Sequence, residues 1–284
     1  VTYPARVSSC NVCKSQSQAY EGLTLEDMFE KARSTPSDIN EHCDKLRELS
    51  SQSETVIEFG MRHGVSTVAL LAGQPKRMIS YDLNHDSIAE ILKSKQGATD
   101  FSFVQGDSLS VHIDPCDLLF IDTRHTADHL SNEFQRHAGR VRRWIVLHDT
   151  QIFGERGEDG GPGLLPAVRR FLNENPEWSV VHHTQVNHGL TVLSRDPQDK
   201  PALPGTIKMA ANFTKSLAAH VADGLQKAEA PELRHRLEIC TLCDQRNDDR
   251  CSVCGCYLAE KAGWRSSECP LGKWNQKEEV THGE

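Results

Sequence analysis

The sequence predicts an α/β fold: a doubly wound, mostly parallel sheet of seven strands, followed by a small cysteine-rich metal module. Three observations predict it. Short β-rich runs recur from residue 55 to 194 with helical or loop segments between them. The last two runs are separated only by the six residues 184–189, too few for a crossover helix. Six of the ten cysteines crowd into residues 240–269, with CxxC spacing.

Taken in order, residues 1–36 read as an irregular and helical extension, with a helix over 23–33. A second helical stretch covers 37–50, where Ser37 follows Pro36 as a cap and Ile39, Cys43, Leu46 and Leu49 share one face. The strands are expected at 55–59, 77–82, 101–104, 117–122, 143–148, 178–183 and 190–194. The first five are separated by connections long enough for crossover helices, which implies a parallel sheet covered on both faces. The main domain then spans 37–195. A proline-punctuated stretch and two helices, at 207–227 and 231–239, fill 196–239. The cysteine-rich module occupies 240–284.

Composition narrows the function classes. The net charge of −8 offers no general attraction to nucleic acid or anionic lipid. The longest apolar runs, at 68–72 and 117–121, are far too short to cross a bilayer. A cytoplasmic protein with no membrane partner is expected.

In a doubly wound sheet the ligand sits beyond the carboxyl ends of the strands. After the first strand the chain reads Glu58-Phe59-Gly60-Met61-Arg62-His63-Gly64-Val65-Ser66. Gly60 and Gly64 permit close backbone approach to a ligand and a turn into the next helix. The second strand ends in Asp82, whose carboxylate can accept two hydroxyls or cap the following helix. After the third come Gly106, Asp107 and Ser108, where Asp107 is a ligand or a turn residue. The Gly-x-Gly-x-x-Gly turn of nicotinamide enzymes is missing.

These motifs resemble class I S-adenosylmethionine-dependent methyltransferases, over roughly residues 37–195. The resemblance implies that Glu58, Gly60, Gly64, Ser66, Asp82, Asp107 and Ser108 bind S-adenosylmethionine, with Asp82 on the ribose and Asp107 facing the adenine. The fourth strand ends in Asp122, Thr123, Arg124 and His125, and the fifth in His148, Asp149 and Thr150. This is similar to cephalosporin-hydroxylase-like proteins and metal-dependent O-methyltransferases, which implies Mg²⁺ or another divalent cation at Asp122/Asp149. His148 and Thr150 depart from the acidic or amide ligands of that pattern, and imidazole favours a transition metal. Without metal, His125 or His148 would serve as general base. Asp122, His125, His148 and Asp149 are therefore the catalytic candidates. The acceptor is expected to be a small-molecule or glycan-like substrate. The other reading is a non-catalytic scaffold on the same fold. The five glycines between 154 and 163 suggest a mobile lid or a disordered loop.

Cys240, Cys243, Cys251, Cys254, Cys256 and Cys269 are metal-ligand candidates, for structural zinc ahead of an iron–sulfur cluster. A single tetrahedral zinc would leave two of them over. Residues 231–284 carry 8 Lys/Arg against 10 Asp/Glu, so the module shows no clear nucleic-acid surface and suits a protein partner better. The module resembles small six-cysteine C-terminal modules of phage and bacterial proteins. Cys10 and Cys13 form a further CxxC pair.

Overall fold

The computed structural model describes residues 20–85 and 88–275, so the Cys10/Cys13 pair lies outside the described residues. The chain divides into two compact units: residues up to 168 together with 184–192, and residues 169–183 together with 193 onward.

The first unit opens with α1 (Leu25–Ser34), whose start is a reciprocal cap: Thr24 accepts from the Asp27 backbone N–H and Asp27 accepts from that of Thr24. The helix expected over 37–50 is shorter. The Ser37 hydroxyl accepts from the Asn40 N–H at 3.0 Å, but the N-cap is Ile39, without a side-chain cap bond, and the first turn is a 3₁₀ segment, Asn40–His42. The α-helix proper, α2, runs Cys43–Ser51. Ile39, Cys43, Leu46 and Leu49 are all buried, as the helical spacing requires.

Strands β1 (Thr55–Phe59), β2 (Arg77–Asp82), β3 (Asp100–Gln105), β4 (Cys116–Ile121) and β5 (Val141–His148) alternate with α3 (Val65–Ala72), α4 (Ile88–Lys95) and α5 (Ala127–His137). The 106–115 connection between β3 and β4 contains no helix, contrary to expectation. It turns on Asp107, whose carbonyl accepts from the Ser110 and Val111 N–H groups, and it ends at Pro115. With α6 (Leu164–Glu174), β6 (Ser179–Thr184) and β7 (Leu190–Ser194), the sheet has seven strands in the order β3-β2-β1-β4-β5-β7-β6. β1 through β5 pair in parallel. Val56, Ile57, Phe59, Leu118, Leu119, Phe120, Ile145 and Val146 are essentially inaccessible, the near-continuous apolar runs of a sheet covered on both faces.

Register aligns the strand ends. Phe59 stands opposite both Tyr81 and Ile121, and Ile121 stands opposite Leu147. Gly60, Asp82, Asp122 and His148 therefore all stand one step beyond this shared row.

In the second unit, α7 (Thr206–Ala222) stops earlier than the expected 227, because Asp223 is followed by Gly224 and Leu225 at positive φ. Then come α8 (Ala230–Thr241), the two-stranded β8 (Arg246–Asn247) and β9 (Arg250–Cys251), and α9 (Leu258–Gly263). The α7 segment, expected as part of a linking stretch, packs on the cysteines: Asn212 donates to the Cys254 carbonyl at 3.0 Å. Among the described residues, no helix is long and apolar enough to cross a membrane.

Candidate functional site

The loop after β1 is built from left-handed backbone. Gly60, Arg62 and Gly64 have φ of 91°, 46° and 76°. The Arg62 N–H donates to Asp82 Oδ2 at 2.8 Å, while Asp82 Oδ1 accepts from the Asn84 N–H at 2.9 Å. Asp82 thus ties two loops together and stays partly exposed at the tip of β2. Asp107 closes its own turn, accepting from the Leu109 N–H at 2.9 Å. Ser108 is buried, its carbonyl accepting from His137 Nε2 at 2.7 Å.

Glu58 and Ser66, expected on the cofactor, have their side chains spent on each other. Glu58 is wholly buried and accepts from Ser66 Oγ (2.6 Å), Thr67 Oγ1 (2.8 Å) and Ser80 Oγ (2.5 Å). These hydroxyls lie on α3 and β2, so the carboxylate fixes the helix that follows the glycine loop instead of reaching a ligand. Burial pushes its pKa up to about 7, against the lowering effect of the three hydroxyls. Because the folded pKa lies above the unfolded one, stability is full below about pH 4.5 and is lost as pH rises through about 7. Glu58→Gln should flatten this loss, worth roughly 3 kcal/mol at most. The check is urea denaturation of both proteins at pH 5 and pH 8: the wild type should lose more stability between the two.

At the tips of β4 and β5 the acidic and imidazole side chains converge. His125 Nε2 lies 2.9 Å from Asp149 Oδ2 and 3.4 Å from Asp122 Oδ1, while its Nδ1 lies 3.2 Å from Glu158 Oε2. Phe153 stacks on the His125 ring with centroids 4.6 Å apart. Burial alone would lower the His125 pKa, but the hydrogen bonds to Asp122 and Asp149 outweigh it and raise it to about 10. The raised pKa favours the charged ring, which donates to both carboxylates. Against the opposing effect of burial, His125 and His148 hold Asp122 well below the usual carboxylate range.

His148 is buried and differently committed. Its Nε2 faces the Asp38 carbonyl oxygen at 3.0 Å and must donate there. In the neutral ring Nδ1 is then a lone pair, and it points at Asp122 Oδ2 (3.4 Å) and Asp149 Oδ1 (3.6 Å). Nδ1 makes no well-formed hydrogen bond; burial alone would lower the ring's pKa, but Asp122 and Asp149 beside it outweigh burial and raise it. A lone pair aimed at two carboxylates is the donor set of a cation site. Asp122, His148 and Asp149 each place a ligand atom within 4.8 Å of the others. Asp149 holds this position at φ 58°, a conformation non-glycine residues adopt at a cost.

Two participants were not anticipated. His188 Nδ1 lies 3.0 Å from Asp149 Oδ1, and Glu158 reaches His125 from the glycine-rich segment. That segment is not a free lid. The Glu158 N–H donates to the His125 carbonyl, the Ala127 N–H to that of Pro162, and the Gly157 N–H to that of Gly161. A Cβ on Gly157 would stand 2.7 Å from the His125 carbonyl oxygen. Glycine serves close packing here.

Residues 57–150 match the family model described as "Methyltransferase domain". The match covers about a third of the chain, from β1 to just beyond β5, and marks that segment as similar to methyltransferase domains. No curated protein matches the chain. Among solved structures, it is similar to cofactor-bound Rv0187 from MTB, at 22% identity over 64% of this chain and 87% of that one, with a TM-score of 0.46. It is also similar to the O-methyltransferase TomG from Streptomyces achromogenes in complex with SAM, at 18% identity over 67% and 92%, TM-score 0.47. A third is the N-methyltransferase NodS from Bradyrhizobium japonicum, at 15% identity over 55% and 96%, TM-score 0.43.

Outside the methyltransferase domain, residues 208–274 match a model described as "Family of unknown function (DUF6171)". All six cysteines of this segment are free thiols. Among the described residues, the Asp122 group is the one in which three potential metal ligands converge within 4.8 Å. No three of the six sulfurs therefore lie within 4.8 Å of one another, closer convergence being what a preformed tetrahedral site would require.

Proposed function

We propose that the methyltransferase domain moves the methyl group of S-adenosylmethionine to a hydroxyl of a small-molecule or glycan-like acceptor, with a divalent cation at Asp122, His148 and Asp149. The observation that carries the metal-assisted reading is the buried Nδ1 of His148, which makes no well-formed hydrogen bond and faces two carboxylates. A cation there would lower the pKa of an acceptor hydroxyl and orient it. S-adenosylmethionine supplies the electrophilic methyl, carried on a sulfonium.

The protein's own groups divide the remaining work. Gly60 and Gly64 open the turn after β1 to a ligand, and Asp82 and Asp107 offer acceptors at the neighbouring strand ends for the ribose and adenine. His125, held charged between Asp122, Asp149 and Glu158, keeps both carboxylates oriented. His188 does the same for Asp149 from the loop before β7. The reading extends to a cytoplasmic setting and to the C-terminal cysteines as structural zinc ligands, in a unit that contacts a protein partner.

Calorimetry with S-adenosylmethionine tests the central step. The wild type should show saturable heat. Asp82→Ala should weaken binding about 10- to 100-fold, the loss of charge-assisted hydrogen bonds worth roughly 1.5–3 kcal/mol. A wild type without saturable heat would refute the cofactor reading.

A further inference from the structure

One buried carboxylate near the strand tips has no part in the site described so far. Glu133, on α5, is wholly buried, as are Leu130 and Phe134 beside it on the same helix. Its Oε1 accepts from the Thr123 hydroxyl at 2.8 Å and lies 3.3 Å from His129 Nε2. Among the described residues, Oε2 is buried and makes no hydrogen bond. An unmatched buried carboxylate oxygen destabilises the fold, and a leucine would fill the same helix face without that cost. The acid therefore calls for a partner from outside the chain.

A cavity gives that partner a place. Glu133 lines it together with Thr123, His125 and His148 from the ends of β4 and β5, and leucine and isoleucine side chains complete its wall. Its volume of about 10 Å³ is room for roughly one water molecule. His148, whose Nδ1 also lacks a well-formed hydrogen bond, and Glu133 thus border one water-sized space. Thr123 directly follows Asp122, so its hydroxyl anchors Glu133 to the strand end that bears a proposed cation ligand.

A divalent cation held by three protein side chains completes its shell with water. Such a water has its lone pair on the ion and only hydrogens to offer its surroundings. We infer that a water molecule in this cavity is a ligand of the cation at Asp122, His148 and Asp149, and that Glu133 Oε2 accepts its hydrogen bond. This rests on the cation reading proposed above and adds Glu133 to it as a positioning residue, which orients the water without touching the ion. An ionised carboxylate suits the task because both oxygens only accept: one serves Thr123, and the other is left for the water.

Mn²⁺ titration of the full chain, wild type and Glu133→Gln, followed by electron paramagnetic resonance, tests the assignment. The amide keeps the volume and an oxygen for Thr123, but it turns an NH₂ donor toward a water that can only donate. Mn²⁺ affinity should fall about 10- to 100-fold, the scale for a residue behind a metal ligand, while S-adenosylmethionine affinity stays within about twofold. His129→Ala, which removes a neighbour of Oε1 only, should keep the wild-type Mn²⁺ affinity. Equal Mn²⁺ affinity in wild type and Glu133→Gln, or an equal loss in both variants, overturns the role of Glu133 alone. A wild type that binds no Mn²⁺ overturns the cation reading and this inference with it. Where Glu133→Gln fails to fold, a crystal structure of the wild type with Mn²⁺ decides: a water bound to both the ion and Glu133 Oε2 is expected, and a structure without it rejects the assignment.

Discussion

Asp149→Asn should weaken Mn²⁺ binding to the methyltransferase domain about 100-fold or more, the scale by which even supporting residues tune a metal site, while S-adenosylmethionine affinity stays within about twofold. Asparagine suits the test because it tolerates the left-handed backbone that Asp149 adopts at φ 58° and keeps the side-chain shape. What it removes is charge. Asp149 accepts from His125 at 2.9 Å and His188 at 3.0 Å and lies 3.6 Å from His148 Nδ1, so it is the residue on which three imidazoles converge. With an amide in its place, the lone pair of His148 faces one carboxylate instead of two. Electron paramagnetic resonance of free Mn²⁺ in the wild type and variant gives the two dissociation constants directly, and His188→Ala should lose a smaller factor because its ring only orients Asp149. Equal Mn²⁺ affinity in wild type and Asp149→Asn would make the cluster a self-contained ion-pair network, with His148 protonated in it.

Which features could be read from the residues follows from the range of the interactions. Strand ends were legible because apolar runs stop abruptly at Gly60, Asp82, Asp122 and His148, and parallel register then places those stops side by side. Glu58 was ambiguous because an acidic residue two steps before the loop glycine looks the same whether it faces a ligand or the interior. Only the side-chain hydroxyls of Ser66, Thr67 and Ser80 decide it. His188 gave no signal, since it stands 39 residues from Asp149 and is brought there by the placing of β7 next to β5. The glycines at 154–163 were ambiguous in principle: a missing side chain permits mobility and close packing equally, and here it permits packing. Cysteine spacing identified thiolate chemistry but could not say which sulfurs share an ion.

Gly60→Ala should be the most damaging single change in the domain, destabilising it by at least about 3 kcal/mol through positive-φ strain together with overpacking. A methyl group there would overlap the Asp122 carbonyl oxygen and stand 2.8 Å from its carbon, and these are backbone atoms, with no flexible side chain to yield. The neighbouring hydrogen bonds leave little room for adjustment, because the Gly60 N–H donates to the Tyr81 carbonyl and the Asp122 N–H to that of Phe59. Relief must come from parting the tips of β1 and β4. That motion separates the loop expected to receive S-adenosylmethionine from the carboxylate expected to hold the cation. Gly60→Ala should therefore lower affinity for both ligands together, whereas Asp82→Ala affects the cofactor and Asp149→Asn the ion. A melting temperature lower by roughly 6–12 °C is expected for a domain of this size. Gly139→Ala is the control: no atom lies within 4 Å of its added methyl, and its φ is not positive, so it should melt close to the wild type. If Gly60→Ala melts with the control and binds both ligands normally, the close backbone approach does not join the two halves of the site.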